Sequence, residues 1–244
     1  MFDLPSFAIT ELGLRGLSIN ASQLVGMGRS DLERIRDRAD KASCPVLMLN
    51  EDKPLSFSDS SNAARDQVLD RIRRLGMAAS ALGASSLGVA CEGADSDENF
   101  DQAAVSIRSA MQAIDRYEVN LLLRPCDGLT SVPDRLTELI KKVGGFRIGS
   151  LPDFRGAFDS GDFVPTLRRL APYAGAVFAT IGNKKKSDPT PYSLEDGIEA
   201  VLAVGYQNTI CLHYEGTGDP TGAIVAARDE LLSVIEDDVF EDED

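Results

Sequence analysis

Short runs of apolar and β-branched residues recur along the chain, and a longer amphipathic stretch separates each run from the next. Seven such runs predict β-strands: Leu14–Asn20, Pro45–Asn50, Ser86–Cys91, Val119–Arg124, Phe146–Leu151, Ala174–Ile181 and Asn208–Tyr214. In the clearest intervening stretch, Asn62–Gly83, apolar residues recur at helical spacing along one face. Strands that alternate with helices predict parallel pairing, because parallel neighbours need a crossover connection.

The order of these elements favours an α/β fold of the (β/α) TIM-barrel type over an open doubly wound sheet. No GxGxxG motif follows the first strand, and 244 residues is a common length for one barrel. The segment Leu4–Leu12 is predicted to be a helix that precedes the first strand. A closed barrel normally has eight strands, so we expect a seven-stranded or incomplete barrel that lacks its first βα unit. Residues 1–235 are predicted to form this single domain, and residues 236–244 an acidic, solvated and partly disordered tail.

Two residues mark helix starts. Pro133 is expected in the first turn of a helix over Val132–Val143, where proline is tolerated. Ser193 is expected to cap a helix that reaches Ala203.

The charge of the chain limits its partners. There are 39 acidic residues against 25 basic ones, a formal net charge of −14, so the overall field opposes a nucleic acid. No apolar run approaches the roughly 18 residues of a membrane span. The N-terminus lacks a basic region followed by an apolar run, so a cytoplasmic location is expected.

Few residues can hold a metal ion. The four cysteines do not match a CxxC zinc pattern, and their apolar surroundings favour buried, reduced thiols. His213 is the only histidine, which excludes any site that needs two from one chain.

Three residues are candidate catalytic groups because they follow or end predicted strands. Asp153 is interpreted as a general base, a ligand or an ion-pair partner of Arg124, and the alternative is a cap of the next turn. His213 and Glu215 share parity on the last strand, and an imidazole beside a carboxylate can transfer a proton near neutral pH. The alternative is a satisfied core histidine and a surface glutamate.

Other loops are candidates for binding an anion. Gly216 and Gly218 lie in the loop before the last helix, where barrels often bind phosphate, although a flexible connection explains the loop equally simply. Lys184 belongs to a cluster of three lysines after the sixth strand, which is either an anion site or a solvated loop. Asp52 and Glu92, just after strands, are weaker candidates at the same end of the fold.

Four segments occur together in an order that resembles one family: Leu82–Ala84, Leu121–Pro125, Leu151–Phe154 and Gly205–Gly216. The chain from about Glu11 to Ile235 resembles the xylose isomerase-like TIM-barrel superfamily. This group includes sugar and sugar-phosphate isomerases and epimerases and the endonuclease IV type of DNA repair enzyme. In the resemblance, the first strand of this chain matches the second strand of the family.

The resemblance implies a divalent metal held by glutamate, aspartate, histidine and glutamate at four strand ends. In this chain Arg124 stands at the first of these positions, Asp153 is kept, and His213 stands at the last. The strand that would supply the histidine, Ala176–Thr180, contains none. An arginine repels a dication unless it pairs with a carboxylate, which here would be Asp153 or Glu215. The resemblance therefore implies a degraded metal site, no cofactor, and Arg124 as a binding group for an anionic substrate.

Two hypotheses follow. The first is a sugar or sugar-phosphate isomerase- or epimerase-like protein with an altered, metal-free site, in which Asp153, His213 or Glu215 moves the proton. The second is a barrel without catalysis that acts as a binding or structural protein. A DNA repair enzyme of the endonuclease IV type is disfavoured by the charge and by the single histidine. The expected partners are a small anionic or sugar-like ligand and, as an open alternative, a second copy of the chain.

Overall fold

The computed structural model describes residues 1–182 and 190–241. The chain divides into two compact units, Met1–Leu151 and Pro152–Asp244, which are described in turn.

The first unit is an α/β layer built on a five-stranded parallel sheet in the order β1-β2-β3-β4-β5. Its strands are β1 (Leu17–Asn20), β2 (Val46–Asn50), β3 (Ser86–Ala90), β4 (Asn120–Arg124) and β5 (Ile148–Ser150). Its helices are α1 (Leu4–Thr10), α2 (Arg29–Lys41), α3 (Asn62–Leu82), α4 (Asp97–Ile114) and α5 (Pro133–Val143). The register of β3 and β4 pairs Ala90 with Arg124, so both side chains lie on the same face of the sheet.

The second unit contains the parallel pair β6 (Ala176–Ile181) and β7 (Thr209–Tyr214). Four helices accompany this pair: α6 (Phe154–Asp159), α7 (Phe163–Leu170), α8 (Leu194–Leu202) and α9 (Pro220–Glu241). All six residues of β6 are buried, which agrees with its continuous apolar sequence. None of the described helices is both long and apolar enough to cross a bilayer.

The sequence-based prediction of the elements is confirmed. The described residues form seven strands within the seven predicted segments, shorter at their ends, and a helix precedes the first strand. Pro133 occupies the first turn of α5, and the Ser193 side chain caps α8 by accepting a hydrogen bond from the Asp196 N–H at 3.0 Å. At the C-terminus, α9 continues to Glu241, and the acidic tail over residues 236–244 stays a prediction. The single-domain interpretation stays a prediction.

The core of the second unit depends on an aromatic cluster around Phe154, which is fully buried at the start of α6. Phe154 packs edge-on against Phe163 and Tyr192, with ring centroids 5.8 and 6.3 Å away. Gly197 on α8 makes room for this ring, because a Cβ atom at that position would lie 2.3 Å from the Phe154 Cε2 atom. The absent side chain at Gly197 therefore leaves room for the Phe154 ring against α8.

This contact gives a stability prediction. Gly197→Ala should reduce the free energy of unfolding by about 1–3 kcal/mol, because an added methyl group in a packed core forces its neighbours apart. Gly156→Ala is the matched control. Gly156 lies within α6 with no heavy atom near the position of its missing Cβ, so alanine there should be neutral or stabilising by about 0.5–1 kcal/mol. Urea unfolding of both variants checks this, and equal stabilities would contradict the packing argument.

Candidate active site

The pairing of β6 with β7 places the candidate catalytic groups side by side. Thr180 lies opposite His213 in the register, and Thr180 is buried with only 2% of its surface exposed. Asp153 reaches the same place from the other side of β6, because its backbone bridges to Phe178. Residues 178 and 180 have the same parity on β6, so the three side chains converge at one face of the strand pair.

A hydrogen-bonded series joins Asp153, Thr180 and His213. The Thr180 hydroxyl donates to the Asp153 Oδ2 atom at 3.0 Å and lies 3.1 Å from the His213 Nδ1 atom. A hydroxyl has one proton, so when it donates to an ionised Asp153 it can only accept from Nδ1. The imidazole then carries its proton on Nδ1, and its Nε2 lone pair is left to accept a proton.

His213 is half-exposed rather than a buried core histidine. Its side chain is 41% exposed, and its ring packs against Phe178 with the centroids 5.7 Å apart. The Glu215 Oε1 atom lies 3.7 Å from Nδ1, so the shared parity on β7 does bring the two side chains together. The free face of the imidazole is therefore accessible to a ligand, while its Nδ1 edge is held by the protein.

Asp153 is both a helix cap and a member of this series. Its Oδ1 atom accepts the Arg155 N–H at 3.1 Å and begins α6, while Oδ2 takes the Thr180 proton. Burial raises the pKa of Asp153 above its ordinary value, and the bonds from Thr180 and Arg155 act in the opposite direction. The interpretation of Asp153 as a helix cap is therefore confirmed, and its role as a proton-transfer group stays a prediction.

Three further residues at this place were missed by sequence reasoning: Thr180, Tyr192 and Arg155. The Tyr192 hydroxyl donates to the Thr180 carbonyl oxygen, and burial raises the pKa of this phenol, which keeps it a neutral donor. The Arg155 guanidinium binds Asp159 at 2.9 and 3.1 Å and also interacts electrostatically with Glu215. Arg155 directly follows Asp153-Phe154, so its position after a strand end was the signal that could have found it.

In the glycine loop before α9, the carboxylate of Asp219 occupies the start of the helix. The Asp219 carboxylate accepts the N–H groups of Thr221 and Gly222 at 3.0 and 3.1 Å, and the Gly218 N–H donates to the Tyr214 hydroxyl at 2.8 Å. A bound phosphate would have to displace these contacts. The binding role of Gly216 and Gly218 stays a prediction, and the Asp219 carboxylate would compete with a bound anion for the N–H groups at this helix start.

Arg124 ends β4 in the first unit and is half-buried. Among the described residues of the first unit, Arg124 makes no ion pair with a carboxylate. Burial raises the pKa of the neighbouring Cys126 thiol, and the charge of Arg124 works against that rise. The expected pairing of Arg124 with Asp153 or Glu215 stays a prediction.

The remaining candidates have local partners or lie outside the structure. Both Asp52 carboxylate oxygens bind Ser22, through its N–H and its hydroxyl, each at 2.8 Å. The Glu92 carboxylate accepts from the Ser56 hydroxyl, and the Glu92 carbonyl accepts from Ser58. These contacts give Asp52 and Glu92 structural roles in the loops after β2 and β3. Lys184 and the two lysines that follow it lie outside the described residues.

Comparison with known proteins identifies the family. A family model for the xylose isomerase-like TIM barrel matches residues 8–231. A search of the curated proteins gave no match. Among solved structures, D-psicose 3-epimerase from Clostridium cellulolyticum H10 is similar with a TM-score of 0.80 and 15% identity, over 95% of this chain and 93% of that one.

Other similar structures have different activities in their names. L-ribulose 3-epimerase has a TM-score of 0.81 and 13% identity, over 95% of this chain and 88% of that one. A probable 3-DHS dehydratase from Bacillus anthracis has a TM-score of 0.72 and 16% identity, over 94% and 92%. The chain belongs to the xylose isomerase-like TIM-barrel family, and its α/β fold with parallel strands is the TIM-barrel type that was predicted.

The residues around Asp153 do not fit the divalent ion that the family implies. Both Asp153 oxygens already accept hydrogen bonds, and the neutral hydroxyl of Thr180 stands between the carboxylate and the imidazole. No group of three or more histidine, cysteine, aspartate or glutamate side chains within the described part of the chain is arranged to hold a metal. A hard dication needs several anionic or carbonyl oxygens that converge on one point, and this arrangement does not supply them.

The raised pKa of Asp153 gives a prediction about stability and pH. The folded state holds this proton more tightly than the unfolded state, so ionising Asp153 costs stability as the pH rises through its unfolded pKa of about 3.9 and on to the folded value. Asp153→Asn removes that cost, because its amide oxygen can accept the Arg155 N–H while its amide N–H donates to the Thr180 hydroxyl, which then donates to the His213 Nδ1 atom. The free energy of unfolding of the variant should therefore rise relative to that of the wild type as the pH increases from 4 to 7.

Urea unfolding at several pH values measures this difference. Asp159→Asn is a control, because Asp159 is exposed and paired with Arg155. If the difference in free energy of unfolding between Asp153→Asn and the wild type shrinks as the pH rises, the prediction is wrong. Such a result would show that the fold stabilises the carboxylate of Asp153 as the anion.

Proposed function

We propose that the chain is a sugar or sugar-phosphate isomerase- or epimerase-like enzyme that moves a substrate proton without the divalent ion of its family. The observation that carries this proposal is the series Asp153–Thr180–His213, which ends in a half-exposed imidazole. Isomerisation or epimerisation next to a carbonyl needs a base that takes a proton from carbon and an acid that returns it. The sugar 3-epimerases among the similar structures support this choice of reaction class.

The proton moves in two linked steps in this proposal. The His213 Nε2 atom takes a proton from the carbon beside the substrate carbonyl. The Nδ1 proton then passes to the Thr180 oxygen while the Thr180 proton passes to Asp153, which leaves a neutral imidazole with its proton on Nε2. The raised pKa of Asp153 makes it a suitable final acceptor, because a buried carboxylate binds a proton more readily. Reversal of the same steps returns the proton to the substrate.

The other polar groups have supporting roles. Glu215 lies beside the imidazole and stabilises it electrostatically while it carries a second proton. Tyr192 holds the Thr180 backbone and so fixes the position of the hydroxyl. Arg124 is proposed to bind the anionic group of the substrate, since it is half-buried and makes no ion pair with a described residue of the first unit. Lys184, Gly216 and Gly218 are proposed as additional anion contacts.

A barrel that binds a ligand without catalysis is the second candidate. One observation favours it: Thr180 satisfies both Asp153 and His213 internally, so the series is stable without a substrate. The two candidates differ in solvent exchange. An enzyme incorporates deuterium from D₂O into the substrate carbon beside the carbonyl, while a binding protein does not.

Thr180 variants test the proton series. Ketopentoses, ketohexoses and their phosphates are screened by NMR in D₂O for exchange and for epimer or aldose formation. Thr180→Val keeps the shape but removes the hydroxyl, and kcat should fall roughly 100-fold, at the lower end of acid–base contributions. Thr180→Ser keeps the hydroxyl and should stay within about threefold of the wild type. The ionisation of Asp153 should be visible in the pH–rate profiles of the wild type and of Thr180→Ser, and it should be missing from that of Thr180→Val.

Metal dependence is the control for the same experiment. The protein is assayed after extensive treatment with a chelator, with elemental analysis of the same sample. Activity that disappears with the metal and returns with Mn²⁺ would overturn the metal-free proposal. A stoichiometric ion held by Asp153, His213 and Glu215 would do the same.

Arg124 gives an independent prediction. Inorganic phosphate that binds only the folded chain should raise the melting temperature, by an amount that grows with the ratio of phosphate to its dissociation constant. Arg124→Ala should abolish this rise, and Arg124→Lys should keep part of it because the charge remains. An unchanged rise in Arg124→Ala would exclude Arg124 and favour Lys184 or the loop with Gly216 and Gly218.

A further inference from the structure

In the first unit, the aromatic side chain of Phe146 projects into solvent. Phe146 has an exposed fraction of 106%, so none of its surface is covered by the chain. It follows Gly144 and Gly145, whose φ angles of 71° and 98° only glycine adopts easily, so the turn that presents the ring is built into the backbone. Covering this ring would therefore remove a large apolar surface from water.

A cleft of about 330 Å³ opens beside Phe146. Its lining residues come from α4 and from the segments that flank β4 and β5: Arg108, Met111, Gln112, Asp115, Val119, Gly144 and Arg147. Phe146 does not line this cleft itself, although it stands between two residues, Gly144 and Arg147, that do. The projecting ring and the cleft are therefore neighbours on one surface.

The walls of the cleft suit an aromatic ring. Met111 and Val119 give an apolar lining, and methionine sulfur contacts aromatic rings favourably. Arg108 and Arg147 give two guanidinium groups, which attract the face of a ring. The chain already uses this contact elsewhere, with Arg135 4.0 Å from the Phe100 centroid and Arg34 4.4 Å from that of Phe2.

We propose that a second copy of this chain occupies the cleft, with Phe146 of each copy inserted into the cleft of the other around a two-fold axis. An isologous contact needs a projection and a complementary cavity side by side on one surface, which is the arrangement found here. Val105, 44% exposed and one turn before Arg108 on α4, extends the apolar part of the same surface. The pair of symmetric insertions anchors the interface, as buried aromatic residues commonly do.

The charge of this surface also favours a second copy. The whole chain carries −14, so two copies repel each other over most of their surfaces. Around the cleft the charges are mixed: Arg147 approaches Asp115 and Glu118 at 3.7 and 3.6 Å, and Arg108 donates to the carbonyl oxygens of Lys142 and Val143. Mixed charges can pair across a two-fold axis, which reduces the repulsion between copies at this surface.

Sedimentation equilibrium over a range of protein concentrations tests the proposal. The wild type should form a dimer. Phe146→Asp should raise the dimer dissociation constant by about 30-fold for each lost insertion, and so by roughly 10³-fold for the symmetric pair. Gln112→Trp, which fills the cleft from its rim, should also produce monomers, by a route that leaves Phe146 intact.

Val25→Asp is the matched control. Val25 is 82% exposed at a distant loop, so this variant makes the same change of an exposed apolar residue to a charge, and it should leave the dimer unchanged. Circular dichroism and the melting temperature confirm that each variant is folded. A wild type that stays monomeric at all concentrations would overturn the proposal. A dimer that Phe146→Asp and Gln112→Trp leave intact would overturn it too, and would place the interface elsewhere.

Discussion

The hydroxyl of Thr180 has one proton and two neighbours that compete for it. Asp153 and His213 both lie within hydrogen-bonding distance, so the protonation state of one determines the tautomer of the other. This coupling depends on the register of β6 and β7, which sets Thr180 opposite His213. A shift of that register by one residue would turn His213 to the opposite face and separate all three groups.

Two opposing influences act on the partly buried carboxylate of Asp153, which makes no ion pair with a lysine or arginine among the described residues of the second unit. An aspartate that starts a helix gains a hydrogen bond from the backbone and favourable contact with the helix dipole, and both favour its anion. Burial favours its neutral form, and in this protein burial has the larger effect on its pKa. The carboxylate is thus held by its structural role as a cap and is kept ready to accept a proton by its surroundings.

The sequence predicts the elements of this fold well because each depends on local chemistry. Continuous apolar runs mark buried parallel strands, and Ser193 marks a helix start through a bond to the backbone three residues later. The role of Thr180 could not be predicted in this way. A threonine in a β-rich run is typical of any strand, and its importance comes from residues 27 and 33 positions away that only the register brings near. Tyr192 was missed for the same reason, since its contact with Thr180 crosses the connection between β6 and α8.

The same electrostatics affect whether Asp153 is suited to bind a metal ion or to accept a proton. A dication beside Asp153 would stabilise the carboxylate anion and lower its pKa, which is the opposite of the effect that burial produces here. A metal ligand has to be deprotonated, whereas the final acceptor of a proton series has to become protonated during the reaction. One carboxylate cannot serve both purposes at the same moment. The neutral hydroxyl of Thr180 between Asp153 and His213 is the contact on which the proposed proton transfer depends, and burial of Asp153 acts in the direction that this transfer needs.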